Sequence, residues 1–484
     1  MVTEVEQTEY RKVDQTRRFE IMSSIKLHSR VKKYLPRLLA NDPHLLSLHD
    51  VVLYEGSETK YLRDIDATAL VSTLKSNSTL TKLDLNGSGK LGEKTITALG
   101  EALKLNSVLI SLNLSVTSLQ GRILAPLGEA LKSNTVLINL LIKRNKLHHF
   151  GGMVLGDALK SNSILKTLDL SSAFLDDQGV EALAEGLRSN IGLTSLDLSS
   201  NSINEKGGKA LGEALRSNST LTDLNLSFNN LDKRGIQTFG EALKTNSAIK
   251  IISLWHNKLN GLSEAEAFTD GLKSNGSLTS LDLKWNDLEE IDGQALAKAL
   301  TLNDTLTSLD LGYNRLSESG GIAIAEMLKS NTTLSLLNLI CNRLTKRVAE
   351  VLGEALKVNS TLTSLDLSRN NLEESGGKAL GEALETNCSV TSLNLHQTYI
   401  GNVGGLALCE GLSFNSTLHC LDLDYKRHHP LHLKFCQSIA SRNKFLSKTL
   451  LSRLLTYLFD QTLHEEEEEE VVDEEETHKR QRIC

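Results

Sequence analysis

Residues 193–229 read LTSLDLSSNSINEKGGKALGEALRSNSTLTDLNLSFN. The stretch opens with the nonamer LTSLDLSSN and closes with a second one, LTDLNLSFN, which starts at Leu221. In each nonamer the leucines at the fourth and sixth positions alternate with polar residues, which is the period of a strand with one buried face. Between the nonamers, the apolar residues of KALGEALRSN (209–218) recur at helical spacing. The stretch therefore predicts a strand, then a helix, then the next strand.

The nonamer returns along most of the chain, in steps of 28 residues except for two steps of 29. A strand and a helix of this size cannot bury their apolar faces alone, so each copy must stack on the next. The thirteen copies, numbered in chain order, start at Leu80, Leu109, Leu137, Leu165, Leu193, Leu221, Ile249, Leu278, Leu306, Leu334, Leu362, Val390 and Leu418. The pattern predicts one architecture repeated many times.

The unit LxxLxLxxNxL resembles the leucine-rich repeat, specifically the long ribonuclease-inhibitor-like class with a helix in each unit. The array is similar to those of NOD-like receptors and of Ran GTPase-activating protein. The resemblance covers residues 45–463 and implies a curved α/β solenoid, or horseshoe, with parallel strands on the concave face and helices on the convex face.

Composition divides the chain into three parts. Residues 1–44 form a polar, basic leader, in which SSIKLHSRVKKYLPRLL (23–39) predicts an amphipathic helix. Residues 45–463 form the array, and residues 464–484 an acidic tail, predicted to be disordered, with the run EEEEEEVVDEEE. Within the array we predict an irregular N-terminal cap at 45–79, the thirteen repeats at 80–445 and a C-terminal capping helix at 446–463.

Asparagine recurs before every copy, and glycine recurs near the start of the predicted helix in seven of the copies. An Asn stands three residues before each copy, at Asn77, Asn106, Asn134, Asn162, Asn190, Asn218, Asn246, Asn275, Asn303, Asn331, Asn359, Asn387 and Asn415, and again at Asn443. Because Asn tolerates the left-handed conformation, this column predicts left-handed helix caps. Glycines predict a turn before the helix, at Gly151, Gly179, Gly207, Gly235, Gly320, Gly376 and Gly404.

A second Asn column stands at the ninth position, at Asn145, Asn201, Asn229, Asn257, Asn286, Asn314, Asn342 and Asn370. The resemblance implies that this side chain is buried and bonds the loop backbone of neighbouring coils. A buried amide without partners would be costly.

No motif for chemistry stands out. GSGKLGEKT (87–95) has the look of a phosphate-binding loop, but Glu93 separates the second glycine from the lysine. HExxH, GxSxG and kinase signatures are absent, and the six cysteines include no CxxC pair. His428, His429 and His432 are interpreted as loop residues. We therefore predict no catalytic residues, no metal, no cofactor and no enzyme activity, with activation of a GTPase as the one open question.

The net charge of the chain restricts the classes of partner that it can bind. The chain holds 53 Lys+Arg against 60 Asp+Glu, a net charge of -7, which argues against a nucleic-acid partner. Apolar stretches long enough for a membrane span are absent. We expect a monomer in the cytoplasm, with a nuclear or perinuclear location as the alternative.

Candidate binding residues lie on the predicted strand face. The fifth position is mostly Asp or Asn, including Asp169, Asp197, Asp282 and Asp310. A row of carboxylates would attract a basic partner. The alternative is that these side chains keep the strand soluble and bond to neighbouring coils.

Positions seven and eight become aromatic in the middle of the array, at Phe228, Trp255, His256, Lys284, Trp285 and Tyr313. Exposed Trp and Tyr are common interface anchors, although a self-stacked ladder that stiffens the array is the alternative. Lys143 and Arg144 form a separate basic spot at the same positions, either a binding site or a solvated rim.

The sequence thus predicts a non-catalytic protein–protein interaction scaffold that binds a partner on the concave face and rim. The partner would be another protein, such as a small GTPase or a receptor or signalling component. The alternative is a GTPase activator like Ran GTPase-activating protein, which would help to position the partner's catalytic machinery.

Overall fold

The computed structural model describes residues 29–48, 53–55, 58–60 and 62–423. The chain divides into two compact units, residues 1–229 and residues 230–484. The predicted C-terminal capping helix, the acidic tail, Asn443 and the three histidines near residue 430 lie outside the described residues.

The first unit begins with an irregular coil. Helix α1 buries Val31, Leu35 and Leu38, and its carbonyl at Leu38 accepts a bond from the Asn77 amide at 2.8 Å. Strand β1 pairs in parallel with the strand of the first copy, and β2 and β3 form an antiparallel hairpin. The elements are α1 (Ser29–Leu39), β1 (Ser47–Leu48), β2 (Leu53–Glu55), β3 (Glu58–Lys60), α2 (Asp64–Ser72) and a 3₁₀ turn (Thr73–Lys75).

The strands of copies one to six and the helices of copies one to five follow in the first unit, and these strands pair in parallel in chain order. The strands are β4 (Lys82–Asp84), β5 (Ser111–Asn113), β6 (Asn139–Leu141), β7 (Thr167–Asp169), β8 (Ser195–Asp197) and β9 (Asp223–Asn225). The helices are α3 (Glu93–Leu105), α4 (Ala125–Ser133, after a 3₁₀ turn at Gly121–Ile123), α5 (His148–Leu159), α6 (Asp177–Ser189) and α7 (Glu205–Leu215).

The second unit continues the same alternation. Its strands are β10 (Ile251–Ser253), β11 (Ser280–Asp282), β12 (Ser308–Asp310), β13 (Leu336–Asn338), β14 (Ser364–Asp366), β15 (Ser392–Leu395) and β16 (Cys420–Leu423). Its helices are α8 (Lys233–Leu243), α9 (Glu266–Ser274, after a 3₁₀ turn at Leu262–Glu264), α10 (Glu290–Leu300), α11 (Ser317–Leu328), α12 (Lys346–Val358), α13 (Glu373–Leu384) and α14 (Gly401–Phe414).

Within each unit the register is that of an α/β solenoid. Leu281, Leu309 and Leu337 are direct partners on successive parallel strands, and each is at most 2% exposed. The leucines at the fourth and sixth positions of the copies therefore form the buried core, as their period of two requires. The predicted fold class is confirmed.

The Asn before each copy is not left-handed, so that prediction is wrong. Asn106 has φ -76° and ψ 129°, which is extended backbone. Its Oδ1 accepts bonds from the backbone N–H groups of Val108 at 3.0 Å and Leu109 at 2.7 Å. Its Nδ2 donates to carbonyls of the preceding coil, at Leu74 (2.8 Å) and Asn77 (3.1 Å). The side chain closes its own turn and fastens one coil to the one before.

The ninth-position Asn bridges coils in the same way at the other end of the strand. Asn286 is completely buried, and its Nδ2 donates to the carbonyls of Leu254 at 2.9 Å and Leu283 at 3.0 Å. Its Oδ1 accepts from the N–H of Asn257 at 3.1 Å. This is the arrangement that the resemblance implies.

Left-handed backbone occurs instead at the eighth position. In the first copy this residue is Gly87, with φ 66°, and later copies place larger residues there. These residues are Val116, Arg144, Ser172, Ser200, Phe228, His256, Trp285, Tyr313, Cys341, Arg369 and Gln397. The chain turns sharply here, so the ninth residue enters the core while most eighth-position side chains stay at the surface.

The predicted glycine turns are also wrong, because these glycines lie inside helices. Gly404, for example, belongs to α14. A Cβ on Gly404 would lie 2.9 Å from the Cα of Gly377 and 3.1 Å from the Cβ of Ile400. Glycine is required at such positions by close approach of neighbouring helices and not by a turn.

Candidate protein-binding surface

Two surfaces are available on the strand side of each coil. The strand face consists of the third and fifth positions, which project from β4 to β16. The loop edge consists of the seventh, eighth and tenth positions, which follow each strand. Most residues at these positions are exposed or half-buried, so both surfaces can meet a partner.

In the first unit the candidate carboxylates of the strand face are bonded internally. Asp169 Oδ1 accepts from the N–H of Ser171 at 3.0 Å, and its Oδ2 lies 3.7 Å from Lys143 Nζ. Asp197 Oδ2 accepts from the Asn225 amide at 3.1 Å. Each carboxylate thus caps the end of its own strand and reaches the neighbouring coil.

The second unit repeats this pattern. Asp282 accepts from the N–H of Lys284 at 3.0 Å and from the Ser253 hydroxyl at 3.1 Å. Asp310 accepts from the N–H of Gly312 at 2.8 Å and from the Asn338 amide at 3.0 Å. These bonds give the fifth position a structural role, and attraction of a basic partner stays a prediction.

Burial, and to a smaller extent the charge of a neighbouring carboxylate, raises the pKa of two strand-face carboxylates. Burial raises the pKa of Asp310 above its ordinary value, and the charge of Asp282 raises it further against the lowering effect of the bonds from Gly312 and Asn338. Burial likewise raises the pKa of Asp223, with a contribution from the charge of Asp197. The face therefore holds negative charge at an energetic cost.

Five of the predicted residues meet on the loop edge of the second unit, and we call them the aromatic cluster: Trp255, His256, Lys284, Trp285 and Tyr313. The rings of Trp285 and Tyr313 stack, with centroids 4.8 Å apart and planes 12° apart, while His256 meets the Trp285 ring edge-on at 6.1 Å. Lys284 Nζ lies 5.4 Å from the Trp255 ring centre and 5.1 Å from that of Tyr313.

The aromatic cluster is therefore both self-stacked and accessible. The ammonium of Lys284 is held between two rings by cation–π attraction. Even so, Trp285 remains 39% exposed, and His256 is exposed beside it. The contacts fix the rings in one arrangement without removing them from the surface.

The other predicted residues lie in the first unit. Lys143 is half-buried and is near Asp169, as described above, while Arg144 is exposed on a left-handed backbone. Phe228 is 39% exposed at the end of this unit. The basic spot thus consists of one cation close to a carboxylate and one directed to solvent.

Sequence reasoning missed a second aromatic group in the first unit. His148 contacts Phe174 with ring centroids 5.9 Å apart, and Arg122 lies over the Phe150 ring at 5.1 Å. Phe150 and Phe174 are 37% and 57% exposed. The sequence signal for this group was the string HHF at 148–150. It was overlooked because it lies at the start of α5, outside the nine positions that were compared between copies.

It also missed the positive charge of the loop edge as a whole, of which it had noted only Lys284 in the second unit. In copies seven to eleven the loop edge carries five cations, which we call the basic strip: Lys258, Lys284, Arg315, Arg343 and Arg369. The same positions hold one carboxylate, Asp287, paired with Arg315 at 2.8 Å. The strip runs through the aromatic cluster, because Lys284 belongs to both.

The apparent phosphate-binding loop is occupied by the protein itself. Asp64 Oδ1 accepts bonds from the N–H of Gly92 at 2.7 Å and from the Thr95 hydroxyl, at the N-terminus of α3. A carboxylate from the preceding coil thus sits where a phosphate would bind.

The described part of the chain was also compared with what a metal site and a membrane-spanning helix require. Across residues 29–48, 53–55, 58–60 and 62–423, no three or more His, Cys, Asp or Glu side chains are placed to hold a metal ion. Within the same residues, none of the helices has both the length and the apolar character to cross a membrane.

Comparison with known proteins supports the repeat. A family model described as "Leucine Rich repeat" matches seven stretches, at residues 161–184, 189–212, 217–240, 274–297, 302–325, 358–381 and 386–409. The chain therefore contains leucine-rich repeats, a type of unit generally found in non-catalytic interaction scaffolds. No curated protein matches the chain.

Several solved structures are similar. An internalin, InlF, from Listeria monocytogenes is 19% identical over 83% of this chain and 99% of its own, with a TM-score of 0.46. The mouse RP105/MD-1 complex matches at 18% identity over 77% of this chain and 58% of the other, with a TM-score of 0.48. Leiomodin-1 actin-binding site 2 matches at 23% identity over 34% of this chain and 88% of its own, with a TM-score of 0.28. None of these likenesses bears on what the chain binds.

Proposed function

We propose that the protein is a non-catalytic scaffold that binds a protein partner through the loop edge and strand face of its second unit, with the aromatic cluster as the centre of contact. The observation that carries the proposal is the accessible stack of Trp285 on Tyr313, in a chain that contains only two tryptophans, both within this cluster.

The geometry suits recognition for two reasons. Aromatic side chains offer large contact areas and lose little conformational freedom on binding, which is why Trp and Tyr dominate interface hot spots. Here Lys284 and the ring stack already fix the rotamers, so a partner would meet a pre-organised surface.

The test is capture of partners from a cell lysate by the purified chain, with mass spectrometry of the bound proteins. The variant carries Trp255→Ala and Trp285→Ala, and the control carries Ile291→Ala and Val358→Ala, which remove exposed apolar residues from helices of the same unit. We expect the tryptophan variant to lose specific partners that the control retains. Equal capture by both variants would contradict the proposal.

Activation of a small GTPase is the second candidate, and the acidic run that follows the array is what favours it. In such a role the scaffold would position the GTPase's own catalytic groups. The measurement is GTP hydrolysis by Ran with and without the protein. Acceleration that depends on the aromatic cluster would support this candidate. An unchanged rate of GTP hydrolysis would contradict it and leave the non-catalytic scaffold as the proposed function.

A further inference from the structure

We propose that the chain's own acidic run, residues 465–476, lies along the basic strip and covers the aromatic cluster. This inference rests on the proposed function, because it names a regulator of the same surface. An acidic segment held there would compete with the partner.

The basic strip carries exposed positive charge. Arg343 and Arg369 are exposed, and neither forms an ion pair with any residue that the structure describes. Lys258 is exposed in the same way on copy seven. Arg315 pairs with Asp287, and an ion pair between two exposed side chains contributes little stability. Several cations in neighbouring coils together attract an anionic segment.

The flanks of the strip restrict the shape of that segment. On the strand side, carboxylates project at Asp282, Asp310 and Asp366. On the helix side, Glu318 accepts a bond from Thr345, and Glu373 pairs with Lys346 at 2.9 Å. A broad anionic surface would meet these carboxylates, whereas a single extended chain along the strip would avoid them.

The acidic run has the required length and charge. It places ten carboxylates in twelve residues, interrupted by Val471 and Val472, which can cover the exposed ring of Trp285. Extended, twelve residues span about 40 Å. The strip crosses from copy seven to copy eleven, which is about 20 Å at roughly 4.8 Å per strand.

The run is also tethered near its proposed site. The last described residue, Leu423, belongs to copy thirteen, two coils beyond Arg369. Forty-one residues separate Leu423 from Glu465, eighteen of them in the predicted C-terminal capping helix, and two coils span only about 10 Å. The covalent connection makes docking intramolecular, which raises its effective concentration. Contacts between exposed charges are screened by salt, so we expect docking to be reversible and salt-sensitive.

The two tryptophans provide the test, because their emission reports the aromatic cluster alone. We compare the full chain with a chain lacking residues 464–484 by the emission maximum and by quenching with acrylamide, a neutral quencher. Deletion should shift the emission to the red and steepen quenching, and high salt should abolish the difference. The peptide EEEEEEVVDEEE, added to the shortened chain, should reverse both effects.

Charge reversal locates the contact. In the full chain, Arg315→Glu, Arg343→Glu and Arg369→Glu together should reproduce the deletion. The control is Lys273→Glu, Lys298→Glu and Lys378→Glu, an equal change of charge on exposed helix residues of the same unit. Fluorescence that is unaltered by deletion, or altered equally by both triple variants, would overturn the proposal. Protection of the tryptophans by a single-stranded oligouridylate but not by the acidic peptide would overturn it as well.

The experiments distinguish failure of this docking proposal from failure of the proposed function. If deletion changes the fluorescence while Trp255→Ala and Trp285→Ala leave partner capture intact, the docking stands and the proposed function fails. If deletion leaves the fluorescence unchanged while the tryptophan variant loses partners, the docking fails and the proposed function stands.

Discussion

At the scale of single residues, amides fasten the coils of each unit together. Asn286 uses donor and acceptor at once, which explains why the ninth position is so often Asn. Where Thr117 and Thr398 replace it, the hydroxyl keeps the bond to its own coil, to Leu114 and Leu395, each at 2.6 Å. A hydroxyl is too short to reach the carbonyl of the preceding coil as the Asn amide does.

We predict that Asn286→Ala lowers the free energy of unfolding by about 1–3 kcal/mol, because the buried N–H of Asn257 loses the Asn286 acceptor and the Leu254 carbonyl keeps only one of its two amide donors, Asn257 Nδ2. Asn286→Thr should cost less. The measurement is urea denaturation followed by circular dichroism, with the exposed Asn371→Ala as control. An equal loss from Asn286→Ala and Asn371→Ala would be inconsistent with a bridging role.

The neighbouring carboxylates Asp282 and Asp310 of the strand face should make the stability of the protein depend on pH. The pKa of Asp310 is raised by burial and by the charge of Asp282. Its ionisation therefore costs stability at pH values above the folded-state pKa, and that cost disappears as the pH falls through it. Asp282→Asn keeps a side chain that can bond Ser253 and Lys284.

We accordingly expect Asp282→Asn to lower the pKa of Asp310 and to raise stability at neutral pH, with the gain shrinking in acid. Carboxyl carbon NMR titration gives the pKa, and urea midpoints across pH give the stability. A gain that grows as the pH falls would have the wrong sign for this explanation.

At the scale of elements, the helices approach so closely that glycine is required on them. A Cβ on Gly381 of α13 would lie 2.3 Å from the carbonyl carbon of Ala407 on α14. A Cβ on Gly405 of α14 would meet nothing within 4 Å. The two positions have the same helical backbone but different neighbours.

Gly381→Ala and Gly405→Ala should therefore have opposite effects. Ala exceeds Gly in helix propensity by about 1 kcal/mol, so Gly405→Ala should stabilise the protein by up to that amount. Gly381→Ala should destabilise it, because backbone atoms of α14 must move apart. Thermal denaturation of both variants decides the matter, and stabilisation by both would show that the helices yield freely.

Sequence periodicity predicted the elements well and their connections poorly. The alternation of Leu281 and Leu283 was sufficient to place a strand, because a buried face imposes its period directly. The role of Asn106 could not be predicted in this way, since its partners Leu74 and Asn77 belong to another coil. The prediction of glycine turns was wrong for the same reason, because the atoms that crowd these glycines belong to a neighbouring coil.

The candidate surface shows a similar division. Adjacent copies place equivalent residues side by side, so proximity of Trp255 to Lys284 and of Trp285 to Tyr313 follows from the repeat itself. The insertion of Lys284 between two rings depends on side-chain torsions that a repeat pattern does not specify. The basic strip was missed because its residues alternate between the seventh, eighth and tenth positions.

At the scale of the whole molecule, stability accumulates from interfaces between neighbouring coils. A cavity in one coil should therefore weaken distant coils less than near ones. Leu168 is 1% exposed in copy four, and the two tryptophans lie in copies seven and eight. Circular dichroism averages over every helix, whereas tryptophan fluorescence follows those two copies.

Leu168→Ala should cost the fourth copy about 2–5 kcal/mol. We expect the urea transition followed by circular dichroism to move to lower urea or to broaden, with a smaller shift of the transition followed by tryptophan fluorescence. Leu309→Ala, in copy nine, should shift the fluorescence strongly. Identical shifts of both signals in the Leu168→Ala variant would mean that the array unfolds as one cooperative body.

The Asn before each copy bonds the preceding coil at an offset that follows the repeat length, which has a consequence for how the gene of such a protein can lengthen or shorten. Asn331 bonds Leu300 and Asn359 bonds Leu328, each 31 positions back, while Asn275, which follows a step of 29 residues, bonds Leu243 at 32 positions back. Excising or duplicating one full period therefore recreates identical junctions, while losing a fraction of a period mismatches every bond across the cut. Recombination in whole periods would preserve folding and move the aromatic cluster relative to the chain ends, so that recognition could change while the scaffold stayed intact.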